Sequence, residues 1–275
     1  MLEQVLANLV EEKRQENVPD FLIVNFLKEY LQYPVLDWLY KHEPYRKFIF
    51  TGGSCLRICH GLPRLSEDLD FDIEAGQGRE PDPAELAERL TGYFRTKYLL
   101  EPEAKVQADK RLYLKFPVLY KLGLSYGGGS DLLYVKLEPE ARSAAAGRTE
   151  IQAVTGFGYN FIVRKYTLAF MMEAKIRAVF QREWFQGAGN EVDIKGRDFF
   201  DLFWFFQQGV EPDYAELARR LALADGAEVR QELKRRIDAK ITPAKLKHDL
   251  LNFLPDQAFA KDFCDNYHNL IKPYL

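Results

Sequence analysis

The segment Asp68-Leu69-Asp70-Phe71-Asp72-Ile73-Glu74 alternates acid and apolar residue without a break. Side chains two apart share a face of a strand, so the spacing predicts a β-strand with Asp68, Asp70, Asp72 and Glu74 on one side and Leu69, Phe71 and Ile73 on the other. The apolar side demands a covering layer, so the chain must contain a sheet packed against something else. The acids pose a separate problem, because like charges this close repel and raise one another's pKa values unless positive charge sits among them. A divalent cation answers it, since Mg2+ is a hard ion held by one or two carboxylates together with waters and substrate phosphates. An edge strand whose outer face is simply solvated accounts for the acids too.

The residues before the strand favour the first of these readings. Lys47 to Thr51 reads as a short apolar strand ending at Gly52-Gly53-Ser54, and the following CLRICHG reads as one or two helical turns stopped by Gly61 and Pro63. A strand that ends in Gly-Gly-Ser before a helix presents unpaired backbone N–H groups and a hydroxyl, a cradle for triphosphate oxygens. The ordered run GGSCLRICHGLPRLSEDLDF resembles the first motif of the AbiEii/AbiGii toxin family of nucleotidyltransferases, which have a DNA polymerase β-like fold. The family pattern is Gly-Gly-Ser/Thr, Leu-Arg, Gly, Arg-x-Ser and Asp-Leu-Asp-Phe. It is matched here by Gly52-Gly53-Ser54, Leu56-Arg57, Gly61, Arg64 with Ser66, and Asp68-Leu69-Asp70-Phe71. The resemblance implies that Asp68 and Asp70 are catalytic metal ligands and that Ser54 contacts phosphate. Gly53, Arg57, Arg64 and Ser66 are the further expected substrate-binding positions, and Asp72 is expected to support them.

Three later segments extend the pattern. Nucleotidyltransferases of this fold usually supply a third acid from a neighbouring strand, and LLYVKLEPEAR places Lys136 and Glu138 on one strand face, so Glu138 is the expected third metal ligand. A salt-bridged Lys136–Glu138 pair on an amphipathic strand is the alternative. The helical run TLAFMMEAKIRAVFQR puts Lys175 in the middle of an apolar stripe formed by Leu168, Met171, Met172, Ala178 and Val179. Such a lysine either snorkels to solvent or emerges where its charge meets phosphate. Its resemblance to the lysine helix of the family, through Glu173, Lys175 and Ala178, favours phosphate. Finally, Arg197, Asp198, Asp201 and Leu202 match the closing Arg-Asp-x-x-Asp-Leu motif, which implies that Asp198 or Asp201 orients Lys175 or the nucleotide.

Around these motifs the expected fold is α+β: a nucleotidyltransferase-like mixed sheet flanked by helices over residues 1–163, then a helical domain over residues 164–275. Two helices broken near Val18-Pro19 open the chain, Pro81-Asp82-Pro83 starts a helix to about Lys97, and Lys105 to Leu122 suits a hairpin or edge strands. A Gly127-Gly128-Gly129-Ser130 turn precedes the Lys136 strand, and a small-residue loop, Ala141 to Arg148, follows it. No run approaches the roughly 20 apolar residues of a membrane span. Cys55, Cys59 and Cys264 suggest no disulfide framework, and with no signal-like start the chain is expected in a cytoplasm. The net charge of -3 argues against coating of nucleic acid by bulk electrostatics. A basic cluster of Lys234, Arg235, Arg236, Lys240, Lys245 and Lys247 reads either as a solvated helix face or as a local grip on an RNA stem.

The expected activity is transfer of a nucleoside monophosphate from an NTP to an acceptor hydroxyl, with Mg2+ or Mn2+ as cofactor and two metal ions stabilising the attacking and leaving oxygens. By resemblance the acceptor is the 3′ end of tRNA, the protein is the toxin of a type IV toxin–antitoxin pair, and an antitoxin is its partner. Nucleotidylation of a protein hydroxyl and a non-catalytic interaction module with the same fold are the alternatives.

Overall fold

The computed structural model describes residues 2–74, 82–108, 110–125, 129–142, 148–187, 189 and 191–275. Two compact units divide the chain, Met1–Tyr166 and Thr167–Leu275. Pro81, Gly127, Gly128 and residues 143–147, which belong to segments read above as a helix start, a turn and a loop, lie outside the described residues.

Helices α1 (Leu2–Gln15) and α2 (Asp20–Lys41) open the first unit, followed by β1 (Ile49–Thr51), α3 (Gly52–His60), β2 (Asp68–Glu74) and α4 (Pro83–Tyr98). Strands β3 (Glu103–Gln107), β4 (Arg111–Pro117), β5 (Leu132–Arg142), β6 (Thr149–Gly156) and β7 (Tyr159–Tyr166) complete it. The strands form one sheet in the order β3-β4-β5-β2-β1-β7-β6. It is mixed, with β1 parallel to β7 and β2 parallel to β5, while β1–β2 and the outer pairs are antiparallel.

The alternating acid strand β2 is therefore central, hydrogen-bonded on both sides, and the reading of it as a solvated edge is set aside. Its apolar side is packed: Leu69 and Phe71 are buried, and Phe71 meets the rings of Phe48 and Phe50 at 5.4 Å. Burial of almost all of α2 explains its even hydrophobicity and constrains its few polar residues to find partners. The start of α4 is set by Pro83 in its first turn and by Asp82, whose carboxylate accepts from the Ala84 N–H. The β6–β7 hairpin carries the strand-bearing part through Tyr166, past Val163.

The second unit is helical: α5 (Leu168–Gln181), α6 (Gly196–Gln207), α7 (Tyr214–Leu221), α8 (Gly226–Lys240), α9 (Pro243–Leu250) and α10 (Gln257–Ile271). Thr167, Asp213, Asp225, Thr242 and Asp256 each cap the helix that follows by accepting a backbone N–H. The core of this unit is aromatic, with Phe200, Phe203 and Tyr267 gathered round Phe263. Fold class and architecture are thus the α+β arrangement expected. Among the described residues, no helix is long and apolar enough to cross a membrane.

Candidate functional site

The turn from β1 into α3 is built round two glycines with different tasks. Gly52 has φ +74, and a Cβ placed on it would fall on Oδ2 of Asp70 and lie 2.8 Å from its Cγ. Only glycine combines that backbone with so close an approach of a carboxylate. Gly53 is crowded from elsewhere, since its Cβ would lie 2.7 Å from Oγ of Ser66 and 2.8 Å from Nη2 of Arg64. The turn thus gathers Asp70, Arg64 and Ser66 in one place. The Thr51 side chain does not cap the N-terminus of α3, so the first N–H groups of the helix receive no oxygen from it.

Ser54, expected to contact phosphate through its hydroxyl, is fully buried and donates that hydroxyl to the Asp68 carbonyl at 2.5 Å. It ties α3 to β2. Arg57, expected to bind substrate, lies one turn further along α3. Its guanidinium donates to Glu29 at 2.9 and 3.4 Å and to the Leu62 carbonyl at 3.1 Å. Arg64 is buried and donates to the Leu65 carbonyl at 2.9 Å.

Three polar residues of α2 hold this assembly and were not singled out in the sequence. Glu29 takes Arg57, Lys28 pairs with Glu67 at 2.6 Å, and Gln32 donates to the Ser66 and Glu67 carbonyls at 3.2 and 3.0 Å. Their signal was present: a Lys, a Glu and a Gln inside a helix buried on all sides have to be satisfied by something.

The acid face of β2 divides into two halves. Asp72 accepts from the Tyr166 hydroxyl at 2.9 Å, and Glu74 from Arg164 at 2.7 Å, so both are tied to β7. Asp68 and Asp70 remain toward the glycine turn, and the Asp68 side chain is 39% exposed. Opposite them in register stand Lys136 and Glu138 of β5. Lys136 lies 3.4 Å from Asp68 and 2.8 Å from Glu138, and Glu138 is also paired with Arg111 at 2.6 Å. Burial works against the Lys136 ammonium, but the hydrogen bond to Glu138 and the charges of Asp68 and Glu138 prevail and hold its pKa above the usual lysine value.

Glu138, the expected third metal ligand, lies beside Arg111 and Lys136 through Oε1, and among the described residues no three carboxylate, histidine or cysteine side chains converge on a metal position. Strand periodicity could place Glu138 on the right face but could not show Arg111 beside it on β4. Asp68 and Asp70 fit a cation of the Mg2+ kind, which takes one or two carboxylates and fills its shell from water and phosphate.

In the second unit Lys175 does not snorkel. It is held between Asp198 at 2.8 Å and Asp201 at 2.9 Å, so both aspartates of the closing motif grip it. Asp201 is fully buried, and Asp198 also pairs with Arg182. Burial pushes the Asp198 carboxyl up, but Lys175, Arg182 and Lys195 outweigh it and hold its pKa below the usual carboxylate range. Arg197 turns away, to Asp249 at 3.2 Å. Each member of the basic C-terminal cluster is paired locally, six cations on four acids: Lys234 with Asp238, Arg235 and Arg236 with Glu232, Lys240 and Lys245 with Asp193, and Lys247 with Asp265.

A family model described as nucleotidyl transferase AbiEii toxin, type IV toxin–antitoxin system, matches residues 35–273. Among solved structures, MenT4, a nucleotidyltransferase toxin of Mycobacterium tuberculosis, is 16% identical over 98% of this chain and 89% of that one, with a TM-score of 0.50. A Helicobacter pylori protein is 19% identical over 89% of this chain and 94% of that one, with a TM-score of 0.42. No curated protein matches.

Proposed function

The chain belongs to the AbiEii family of nucleotidyl transferase toxins of type IV toxin–antitoxin systems, and from that premise we propose that it moves a nucleoside monophosphate from an NTP to an acceptor hydroxyl at the Gly52–Asp70 site. The observation that carries this is the packing of the Asp70 carboxylate directly on the Gly52 backbone. It puts an acid and a helix N-terminus within one turn of chain, as a nucleotide with its counter-ion requires.

In this reading the backbone N–H groups of Gly53 and Ser54 receive phosphate oxygens. The Ser54 hydroxyl, spent on the Asp68 carbonyl, fixes the turn. Arg64 places its charge behind Gly53, and Ser66 stands beside it. Asp68 and Asp70 would hold Mg2+ or Mn2+, which when bound neutralises phosphate charge at the reacting phosphorus. Lys136 keeps Asp68 and Glu138 from repelling one another and supplies fixed positive charge to the face. The acceptor oxygen forms a bond to the α-phosphorus as the bond to the bridging oxygen breaks and pyrophosphate leaves, so positioning carries much of the rate. Lys175, held by Asp198 and Asp201, is the phosphate-binding cation we assign to the second unit.

We take the acceptor to be the 3′ end of tRNA, the partner to be a cognate antitoxin and the compartment to be cytoplasm. The family resemblance supports tRNA; the paired basic cluster adds nothing to it. Incubation with radiolabelled NTPs, total tRNA and Mg2+ tests the reading beside Asp70→Ala. Label in tRNA that falls at least 100-fold in the variant supports it. Label that ignores the substitution sinks the mechanism, and label in protein alone moves the acceptor to a protein hydroxyl.

A further inference from the structure

A second group of donors in the helical unit is not used by this reading. Lys195 stands at the entrance of α6 with its Nζ 5.2 Å above the Trp184 ring, and among the described residues no carboxylate pairs with it. The Trp184 Nε1–H is buried without an acceptor. Nearby, Arg182 reaches Asp198, which Lys175 also holds, and the Arg182 side chain is 38% exposed. Asp198 is shared by Lys175 and Arg182, and Asp201 pairs with Lys175, so these ion pairs do not include Lys195.

The Trp184 ring face meets the ammonium, but an ammonium and an indole N–H are both donors, so this contact gives neither N–H group an acceptor. Burial lowers Lys195 to about 8, helped by the Arg197, Arg182 and Lys175 charges and opposed by Asp198. The fold thus keeps a cation where its own surroundings disfavour it. An anion with several acceptor oxygens would satisfy the ammonium and the indole together, and a phosphate also matches the planar fork of Arg182. We propose that Lys195, Trp184 and Arg182 form a phosphate-binding pocket of the helical unit, which takes the phosphates of a nucleotide or of a polynucleotide backbone. The proposal rests on these donors and is independent of the transfer chemistry assigned to Asp68 and Asp70.

Calorimetric titration of the full chain in EDTA tests it, with inorganic tripolyphosphate in one arm and a short single-stranded RNA in the other. At least one probe is expected to bind, and to lose tenfold or more in affinity in Lys195→Met and in Trp184→Phe, with Lys195→Arg retaining most of it. Loss confined to tripolyphosphate identifies the nucleotide as the source, and loss for RNA identifies the backbone. Lys195→Met should melt above the wild type, which separates lost binding from lost folding. The loss on Lys195→Met should persist in an Asp70→Ala background, so the pocket stands even where transfer fails. Equal binding by wild type and Lys195→Met, or no binding of either probe by the wild type, overturns the proposal.

Discussion

Gly52→Ala tests the site most sharply, because Gly61 supplies its control. Both glycines have φ +74, so alanine at either pays the same left-handed backbone penalty of roughly 1–2 kcal/mol. At Gly61, the C-cap of α3, nothing lies within 4 Å of the added Cβ. At Gly52 the Cβ falls on the Asp70 carboxylate, 2.8 Å from Cγ. Carbon–carbon contacts settle near 3.5–4.0 Å, so the carboxylate has to retreat by about 1 Å. A displacement of that size at a reacting group costs on the order of 100-fold in rate, or about 2.7 kcal/mol of barrier.

The expectation is that urea denaturation finds both variants destabilised by a similar amount, while single-turnover transfer falls on the order of 100-fold in Gly52→Ala and far less in Gly61→Ala. Mn2+ binding followed by electron paramagnetic resonance should weaken in Gly52→Ala alone. If the two variants keep equal activity and equal Mn2+ affinity, the Asp70 carboxylate does not have to sit where it does, and the assignment of the site to this turn is refuted.

Two further outcomes follow from the pairings. Removing one partner of a buried ion pair exposes the other to an unpaired interior, so Glu29→Ala should cost about 1–3 kcal/mol by urea denaturation, discounted for the partial exposure of Arg57; the KM for NTP should stay unchanged, and a raised KM with intact stability would return Arg57 to the substrate. His60 is pushed down to about 4 by burial and by the Lys165 charge, against Glu150, and its Nε2 has no hydrogen-bond partner. Its folded value lies below its unfolded one, so the native state binds fewer protons between about pH 4 and 6.5, and stability should fall as pH drops through that window. The loss should reach about 1–3 kcal/mol and flatten in His60→Gln; equal losses between pH 7 and pH 5 in both proteins would contradict this.

The local grammar of the chain was legible before the fold. Strict alternation announced β2, and the Gly-Gly-Ser turn announced the start of α3, because both depend on properties of neighbouring residues. The β6–β7 hairpin was not resolved into strands, since Ile151 and Ile162 face solvent there and blur the alternation. The Ser54 hydroxyl was misread for a similar reason. From sequence a serine after two glycines looks free to meet phosphate, and only the approach of the Asp68 carbonyl from β2 takes it inward.

What narrowed the site was pairing between strands, which no single segment can reveal. Alternation offers four equivalent acids on β2 and a fifth on β5. Register makes them unequal: Tyr166 and Arg164 of β7 take Asp72 and Glu74, while Arg111 and Lys136 take Glu138. Each of these partners lies more than 20 positions from its acid or, for Lys136, on the same strand face, and each sets an opposite or donor group beside it. Asp70 is set apart by its seat on Gly52 and Asp68 by its exposure beside that turn. A face that reads as a uniform string of charge is thus divided by its neighbours, because like charges set close together need opposite or donor groups among them: Tyr166 and Arg164 on one half, Lys136 between Asp68 and Glu138 on the other.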